Sequence, residues 1–368
     1  MFCSHYGKCG GCQMQHFTYE KQVEYKINKI IKLFKKEPDE VIKSPKIYYY
    51  RNRMDYAVGP NYKVGLKEYG KWYSYVDIYM CFLQSEKSNE IKNKFREFIK
   101  RRNILPWDTR NHTGFIRYIV IREGKFTGER MVNIITYKSV DLESYKKIFM
   151  EFLEEISEYT TSFYWTINDS LSDVSFGKIN YLLFGESYIK EKILDNIYYI
   201  SPNSFFQPNS YTAEYLLKRV VELLDPKDKE IIYDLYSGAG FYTVEIGKYS
   251  IYTFGVDFDE ENMKIFNLNK KVNNVNNVKF LLKRVEDLEK INADKVVVDP
   301  PRAGLNKKVI KLFSNSNVKK IVYVSCNPYT QKRDIDLLEK IGYKLTNIIM
   351  IDQFPHTFHI ETIVTLEK

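Results

Sequence analysis

Residues 231–257 read IIYDLYSGAGFYTVEIGKYSIYTFGVD, and this stretch decides the fold of the C-terminal half of the chain. It begins with an apolar run, turns at Ser237–Gly240, continues with a helical pattern and ends in a second apolar run, Thr253–Asp257. Further apolar runs follow at residues 279–282, 295–299 and 320–325. Apolar runs spaced by helical segments are typical of buried parallel strands, so we predict an α/β fold with a doubly wound, Rossmann-like sheet.

The chain upstream of residue 190 shows a different pattern, in which short stretches alternate between apolar and polar residues. The strand candidates lie near residues 51–58, 62–66, 115–122 and 131–136. Helical patterns near 86–102 and 141–157 accompany them, so this region is predicted to be α+β. An amphipathic pattern over 17–36 predicts one more helix, with its lysines on a solvated face.

Length and charge limit the classes of protein that fit this sequence. The chain has 368 residues, which favours two or three domains. Its 56 Lys and Arg against 47 Asp and Glu leave a net charge of +9, which suits a polyanionic partner such as nucleic acid. Because we find neither an apolar run of membrane-spanning length nor a secretory leader pattern, we expect a cytoplasmic monomer without a membrane partner.

Several polar residues fall at or near the carboxyl ends of the predicted strands, where ligands bind in sheets of this kind. They are Asp234, Asp257, Asp299 and Cys326. The glycine turn Gly238-Ala-Gly240-Phe-Tyr-Thr243 has a threonine where a dinucleotide fingerprint has its third glycine, and it lacks the Lys-Ser/Thr ending of a phosphate loop. A nucleoside cofactor without a pyrophosphate therefore fits better than NAD, which points to S-adenosylmethionine, with Asp257 as the acceptor for both ribose hydroxyls.

The five cysteines are unevenly distributed along the chain. Three are clustered near the N-terminus, one follows much later and one stands alone near the C-terminus: Cys3, Cys9, Cys12, Cys81 and Cys326. Without an export signal, such a cluster favours metal binding over disulfides. Four thiolates suit a [4Fe–4S] cluster, and zinc accepts the same four ligands, with His5 or His16 able to replace a thiolate. Spacing alone does not separate the two metals.

Four motifs of the C-terminal half together resemble those of the RNA uracil-C5 methyltransferases. They are Ser204-Phe-Phe-Gln207-Pro-Asn, Asp299-Pro-Pro-Arg302, Ser325-Cys326-Asn-Pro and Phe358-His-Ile-Glu361-Thr. The resemblance extends from Cys3 to the last strand, so it covers nearly the whole chain. It implies an S-adenosyl-L-methionine-dependent methyltransferase. Since that family often carries an iron–sulfur cluster near the N-terminus, it also favours a [4Fe–4S] cluster over zinc, in the role of a structural clip.

The resemblance also implies a division into three parts and a class of RNA. The parts are an N-terminal iron–sulfur segment over 1–40 that Cys81 completes, a central RNA-binding α+β domain over 41–190, and a methyltransferase domain over 191–368. The chain begins at the cysteine motif, without the additional β-barrel RNA-binding domain of some family members. The shorter ribosomal-RNA branch and the transfer-RNA branch of the family also lack this β-barrel domain. Because the transfer-RNA branch does not carry the cysteine cluster, 23S ribosomal RNA is the first expected substrate and transfer RNA is the second.

The chemistry of uracil C5 methylation needs one nucleophile and one base. A thiolate that adds to C6 makes C5 nucleophilic, and after methyl transfer a base must remove the C5 proton. Cys326 is the only cysteine of the catalytic half and is the predicted nucleophile, and Glu361 matches the base of the family. The resemblance implies cofactor or uracil contacts for a further group of residues: Gln207, Tyr236, Gly238, Gly240, Asp257 and Asp299.

Other interpretations remain open at this point. One is a catalytically silent iron–sulfur protein that binds RNA on a methyltransferase scaffold, and another is a redox enzyme that uses the cluster and a nucleotide. A methyltransferase must also receive its target base turned out of the stack, so the central domain is expected to bind RNA. The candidate phosphate contacts are Arg51, Arg53, Arg117 and Arg122. His356 and His359 are expected to make structural hydrogen bonds within a hairpin.

Overall fold

A computed structural model of the chain describes residues 2–139 and 141–368, which form two compact units. Unit one comprises Met1–His16, Lys46–Lys192 and Ile200–Asn203, and unit two comprises Phe17–Pro45, Ile193–Tyr199 and Ser204–Lys368. The α-helices, in chain order, are α1 Tyr19–Phe34, α2 Glu86–Arg101, α3 Leu142–Ile156, α4 Ser210–Leu224, α5 Phe241–Ile246, α6 Glu260–Val272, α7 Lys307–Ser314 and α8 Pro328–Glu339.

The strands follow the same chain order. They are β1 Glu40–Ile42, β2 Arg53–Gly59, β3 Lys63–Glu68, β4 Lys71–Asp77, β5 Ile116–Glu123, β6 Arg130–Thr136, β7 Ser162–Ile167, β8 Ile179–Gly185, β9 Ile189–Ile193, β10 Asn196–Ile200, β11 Ile231–Leu235, β12 Tyr252–Asp257, β13 Val278–Leu282, β14 Lys295–Val298, β15 Lys320–Ser325, β16 Lys344–Ile351 and β17 Glu361–Glu367. Strands β9 and β10 pair with each other in a two-stranded sheet.

Unit one is built on a seven-stranded sheet in the order β4-β3-β2-β5-β6-β7-β8. Its pairs are antiparallel except for β6 and β7, which are parallel because α3 connects them. Helices α2 and α3 bury aromatic side chains against one another, with the rings of Phe95 and Phe152 centred 5.2 Å apart. This architecture is the α+β arrangement that the alternating stretches predict.

Unit two is built on an eight-stranded sheet in the order β1-β16-β17-β15-β14-β11-β12-β13. The run β15-β14-β11-β12-β13 is parallel, and all three valines of β14 are buried. Strand β17 is antiparallel to both of its neighbours, β15 and β16. The predicted α/β fold with a doubly wound sheet is confirmed, and the carboxyl ends of β11, β12, β14 and β15 lie along one edge of the sheet.

Helix α1 belongs to unit two and holds the segment between β16 and β17. Thr18 caps its N-terminus, and its apolar side packs into the core of the unit through Val23, Ile30 and Phe34. The expectation of a solvated lysine face is wrong for Lys26, which is fully buried and pairs with Asp352 at 2.6 Å. A buried charge needs a partner of opposite sign, so this pair fixes where α1 contacts the segment.

No helix within residues 2–139 and 141–368 is both long and apolar enough to cross a bilayer.

Candidate functional site

The carboxyl edge of the unit-two sheet borders a cavity of about 860 Å³, which we call the strand-end cavity. Among the predicted site residues, those that line it are Gln207, Tyr236, Gly238, Asp257, Asp299, Cys326 and Glu361. These residues come from six separate parts of the sequence. Tyr236, Gly238, Asp257, Asp299 and Cys326 meet because parallel strands bring their carboxyl ends to one edge, whereas Gln207 precedes α4 and Glu361 begins the antiparallel strand β17. The structure thus places nearly all of the predicted catalytic and cofactor residues around a single cavity.

Cys326 and Glu361 lie next to the last residue pair of two antiparallel strands. Ser325, the last residue of β15, pairs with Thr362 of β17, so Cys326 follows one member of this pair in the chain and Glu361 precedes the other. Glu361 is buried and Cys326 is half-buried, and both line the strand-end cavity. Glu361 is not on an exposed edge strand, because β17 lies between β15 and β16.

A chain of hydrogen bonds holds the carboxyl group of Asp299 in the cavity wall. Asp299 Oδ2 accepts hydrogen bonds from Gln207 Nε2 at 3.3 Å and from the hydroxyl of Tyr242 at 3.2 Å. Gln353 Nε2 in turn donates to Gln207 Oε1 at 2.9 Å, which orients the Gln207 amide. Sequence reasoning missed Tyr242 and Gln353, because neither stands in a recognisable catalytic motif. The only available signal was position, because Tyr242 follows the glycine turn and Gln353 lies between the last two strands.

Helix α1 supports this chain of hydrogen bonds from behind. Lys26 Nζ bonds both to Asp352, the neighbour of Gln353, and to the carbonyl of Phe354 at 3.0 Å. The side chain of Gln22 accepts a hydrogen bond from the backbone amide of His356 at 2.8 Å. The segment that carries Gln353 into the cavity is therefore fixed at three successive points.

Burial shifts the proton affinities of the three reactive side chains in the same direction. Burial raises the pKa of Asp299 to about 7, and it raises the pKa of Glu361 well above its usual range, with the charge of Asp299 adding to the effect. Burial also raises the pKa of the Cys326 thiol to about 12, with Glu361 and Asp299 adding to the effect and Arg302 opposing it. The cavity thus favours the protonated forms of Cys326 and Glu361 at neutral pH.

The cofactor side of the cavity is organised by Asp257, the last residue of β12. Its Oδ2 accepts a hydrogen bond from the Gly238 amide at 3.1 Å, and its Oδ1 accepts one from the Asp259 amide at 3.1 Å and one from Asn262 Nδ2 at 3.3 Å. A carboxylate has about four acceptor positions, so Asp257 keeps about one, on Oδ2, for a ribose hydroxyl. Tyr236 lines the same region, and its hydroxyl donates to Glu286 at 2.7 Å. These residues fit a nucleoside ligand.

The glycine turn departs from a dinucleotide fingerprint for a structural reason. Thr243, which stands at the third glycine position, donates to the buried carboxylate of Asp234 through its amide at 2.9 Å and through its hydroxyl at 2.6 Å. Gly240 has a φ of +86°, and a Cβ there would lie 2.5 Å from the Phe266 ring on α6. Gly240 is not among the residues that line the cavity. Its contribution to the turn is therefore close packing against α6.

The four remaining cysteines meet in unit one. Cys3, Cys9, Cys12 and Cys81 all line one small cavity of about 20 Å³, which we call the cysteine cavity. The Gly11 amide donates to Cys9 Sγ at 3.3 Å, and Gln15 Nε2 donates to Cys12 Sγ at 3.7 Å. His5 also lines this cavity, whereas the ring of His16 bonds to the Tyr6 hydroxyl. Over the described residues, no three His, Cys, Asp or Glu side chains are placed to hold a single metal ion.

The expected arginine contacts to nucleic acid are wrong for two of the four residues. Arg117 is 1% exposed, and its guanidinium donates to the carbonyls of Asn168 and Ser170 at 3.0 and 2.7 Å. Arg122 is 3% exposed and donates to the Ser201 carbonyl. Both side chains lie under the surface because β5 is a central strand, and their charges satisfy loop carbonyls.

Comparison with known proteins gives concordant matches. Residues 174–289 and 281–368 match the family described as tRNA (Uracil-5-)-methyltransferase. The tRNA (uracil(54)-C(5))-methyltransferase of Pyrococcus horikoshii is 41% identical over 99% of this chain and 85% of its own length. The 23S rRNA (uracil(747)-C(5))-methyltransferase of the same organism is 34% identical over 100% of this chain and 85% of its own length.

A solved structure is similar over almost the same span. It is the crystal structure of the Pyrococcus abyssi tRNA (uracil-54, C5)-methyltransferase in complex with S-adenosyl-L-homocysteine. The two folds superpose with a TM-score of 0.83 at 37% identity, over 97% of this chain and 85% of that one.

Proposed function

We propose that transfer RNA is the substrate of this chain, which belongs to the tRNA (uracil-5-)-methyltransferase family of RNA uracil-C5 methyltransferases. The expectation from the cysteine motif was ribosomal RNA, but the tRNA-specific relative is the more similar of the two, at 41% against 34% identity. The solved tRNA enzyme supports the same choice. Uridine 54, which the names of both tRNA enzymes specify, is the proposed target.

The observation that carries this function is that Cys326 and Glu361 both line the strand-end cavity, next to the paired residues Ser325 and Thr362. S-adenosyl-L-methionine, when bound, supplies an electrophilic methyl group, and the carboxylate of Asp257 would accept a hydrogen bond from its ribose. The thiol proton of Cys326 passes to solvent water as Sγ bonds to uracil C6, which makes C5 the nucleophile that takes the methyl group and leaves S-adenosyl-L-homocysteine as the thioether. Glu361, in its ionised form, then removes the C5 proton, and the Sγ–C6 bond breaks.

Asp299 and Gln207 orient the uracil during these steps. Asp299 is anchored by Tyr242 and Gln207 and lines the cavity, and its remaining acceptor positions suit the N3–H of the base. A fixed carboxylate at that edge selects uracil over cytosine, since N3 of cytosine carries no proton. It also holds C6 within reach of the Cys326 sulfur, which is the positioning that addition requires.

The choice of RNA is tested with two unmodified transcripts and labelled S-adenosyl-L-methionine. We expect methyl incorporation into a tRNA transcript, and loss of that incorporation when uridine 54 is replaced by cytidine. A fragment of 23S rRNA of matched length serves as the comparison and should accept less than about a tenth as much methyl group. Efficient labelling of the rRNA fragment with an inert tRNA would contradict the proposed substrate while leaving the family membership intact.

We further propose that the cysteine cavity holds a [4Fe–4S] cluster. A [4Fe–4S] cluster is bound by four cysteine thiolates, and four cysteines line this cavity. The hydrogen bonds that the Gly11 amide and the Gln15 side chain donate to Cys9 and Cys12 are of the kind that stabilise thiolate ligands. The cavity joins the N-terminal segment to residues 78–83, so the cluster would act as a structural clip between them.

The metal is tested on protein purified without oxygen. We expect about four irons and four sulfides per chain and a brown colour. Cys81→Ser should lose the metal, while Cys326→Ser, which changes a cysteine outside this cavity, should keep it. Stoichiometric zinc without iron or sulfide would contradict the cluster and leave the methyltransferase chemistry untouched.

A further inference from the structure

The hairpin formed by β3 and β4 carries an irregularity close to its turn. Lys67 pairs with Tyr75, but the next residue of β3, Glu68, pairs with Lys71, so residues 72–74 have no partners on β3. Such bulges are specific features that redirect side chains, and they recur at sheet edges next to functional sites. Here β4 is the edge strand of the unit-one sheet, and the extra residues include Trp72 and Tyr73.

Polar contacts hold this bulge in a fixed shape. The carboxylate of Glu68 accepts hydrogen bonds from Lys71 Nζ at 2.5 Å and from Ser74 Oγ at 2.7 Å, one on each side of the two aromatic residues. The backbone of the N-terminal segment pairs with the end of β3, because the Gly10 amide donates to the Lys67 carbonyl at 3.0 Å and the Tyr69 amide donates to the Lys8 carbonyl at 2.8 Å. The turn of the hairpin is thus tied down on two sides.

The aromatic side chains at this position face solvent. Tyr69, Trp72 and Tyr73 are 61%, 62% and 45% exposed. The rings of Trp72 and Tyr73 meet edge to face with centroids 5.7 Å apart, and the Arg110 guanidinium lies over the Tyr73 ring at 4.6 Å. Three large and largely exposed rings bury little surface in the folded chain, so a cluster of them on a braced bulge indicates a binding surface. We call Tyr69, Lys71, Trp72, Tyr73 and Arg110 the bulge platform.

We propose that the bulge platform stacks unpaired bases of the RNA substrate. Flat aromatic faces and arginine planes are the groups on which unstacked bases pack, and a sequence-tolerant stack suits nucleotides outside the target uridine. Arg110 supplies positive charge beside the rings, while the charge of Lys71 is paired with Glu68, and a positive group next to exposed rings matches a phosphate backbone better than an apolar protein partner. The proposal rests on the RNA substrate proposed above and adds the surface that contacts it outside the strand-end cavity.

The tryptophan content of the chain provides a direct probe of this surface. The three tryptophans are Trp72, Trp107 and Trp165, and the last two are 2% and 0% exposed. Solvent-accessible tryptophan emission therefore comes from Trp72 alone, and base stacking quenches it. Titration with an unmodified tRNA transcript should quench the emission of the wild-type chain. Trp72→Phe should abolish the quenching while preserving most of the RNA affinity, since phenylalanine still stacks.

Measurements of tRNA affinity then distinguish the loss of base stacking from a loss of folding or of exposed aromatic surface elsewhere. Trp72→Ala and Tyr73→Ala should each weaken tRNA binding by roughly five- to a hundredfold, the range of a lost base–aromatic stack. Phe184→Ala is the matched control, because Phe184 is a 43% exposed aromatic residue on β8, the other edge strand of the same sheet. That variant should bind tRNA like the wild-type chain. Unchanged far-ultraviolet circular dichroism and thermal unfolding of all variants verify that they are folded.

Each remaining outcome would overturn the proposal. A wild-type chain that methylates tRNA but shows no quenching, or unchanged affinity in Trp72→Ala and Tyr73→Ala, would remove the platform and leave the proposed function in place. Loss of a dimer in these variants, with unchanged RNA affinity, would assign the surface to a second copy of the chain. A wild-type chain that neither binds nor methylates RNA would contradict the proposed function, and the proposal for the bulge platform, which rests on it, would be wrong as well.

Discussion

Replacing Cys326 with alanine is expected to abolish methyl transfer, with a loss of at least about 10⁴-fold in rate. Uracil C5 is a poor nucleophile until a thiolate adds at C6, so no other residue of the cavity replaces the sulfur. Removal of the nucleophile from other covalent enzymes has effects of this size or larger. The measurement is incorporation of labelled methyl groups into tRNA at saturating S-adenosyl-L-methionine.

The same variant has a second, covalent readout. Fluorine at C5 cannot leave as a cation, so tRNA that contains 5-fluorouridine should become trapped on the wild-type chain as a complex that survives denaturation. Cys326→Ala should form no such complex while binding S-adenosyl-L-methionine normally, since Asp257, the proposed contact to the adenosine, is unchanged. Activity or trapping that persists in Cys326→Ala would exclude Cys326 as the nucleophile.

Replacing Glu361 with glutamine is expected to slow turnover by roughly 10²–10⁴-fold, the usual contribution of a positioned base. If addition and methyl transfer stay fast, elimination becomes the slow step. A methylated RNA–protein complex should then accumulate on ordinary uridine, without any fluorinated analogue. A gel with labelled methyl donor measures this directly, with one methyl group expected per trapped RNA.

We expect Glu361→Gln to fold normally, because the raised pKa of Glu361 shows that its site favours an uncharged side chain. Burial raises that pKa and favours the neutral acid, so an uncharged amide of the same size replaces the form that the core already accommodates. Glu367→Gln is the matched control, because Glu367 lies at the other end of β17, where it pairs with Lys320 at 2.8 Å. Wild-type turnover in Glu361→Gln, or low activity without an adduct, would exclude Glu361 as the base.

Much of the site could be predicted from sequence because parallel strands follow simple rules. Apolar runs mark the strands, and the residues that follow them gather at one edge, which is why Asp257, Asp299 and Cys326 all line one cavity. The placement of Glu361 could not be predicted in the same way. It depends on an antiparallel strand inserted between β15 and β16, and neither that insertion nor its register is visible in a periodic pattern.

The errors concern charged residues whose partners are distant in sequence. Lys26 stands on what looks like a solvated helix face, yet its partner Asp352 lies 326 residues away. Arg117 satisfies carbonyls of a loop more than fifty residues downstream, at Asn168 and Ser170. The pattern of polar residues along a helix or strand shows which side chains are charged. Whether a charged side chain is buried depends on a partner of opposite charge or a carbonyl that only the tertiary fold brings near it.

The exposure of the bulge platform could not be predicted from the sequence either. Lys71, Trp72 and Tyr73 stand in an ordinary strand pattern, in which alternate residues would point to opposite faces of the sheet. The register shift at Glu68 leaves both aromatic residues exposed instead. A bulge has no reliable signature in one sequence, so the surface becomes visible only with the paired strands.

Mass spectrometry of the trapped complex tests the central claim most directly. After the wild-type chain reacts with 5-fluorouridine tRNA and S-adenosyl-L-methionine, protease and nuclease digestion should yield one modified peptide that contains Cys326. Its added mass should equal that of a 5-fluorouridine nucleotide plus CH2, which is one methyl group gained and one thiol proton lost. A nucleotide attached to any other residue, or a trapped nucleotide without the methyl group, would contradict methylation at C5 through a Cys326 adduct.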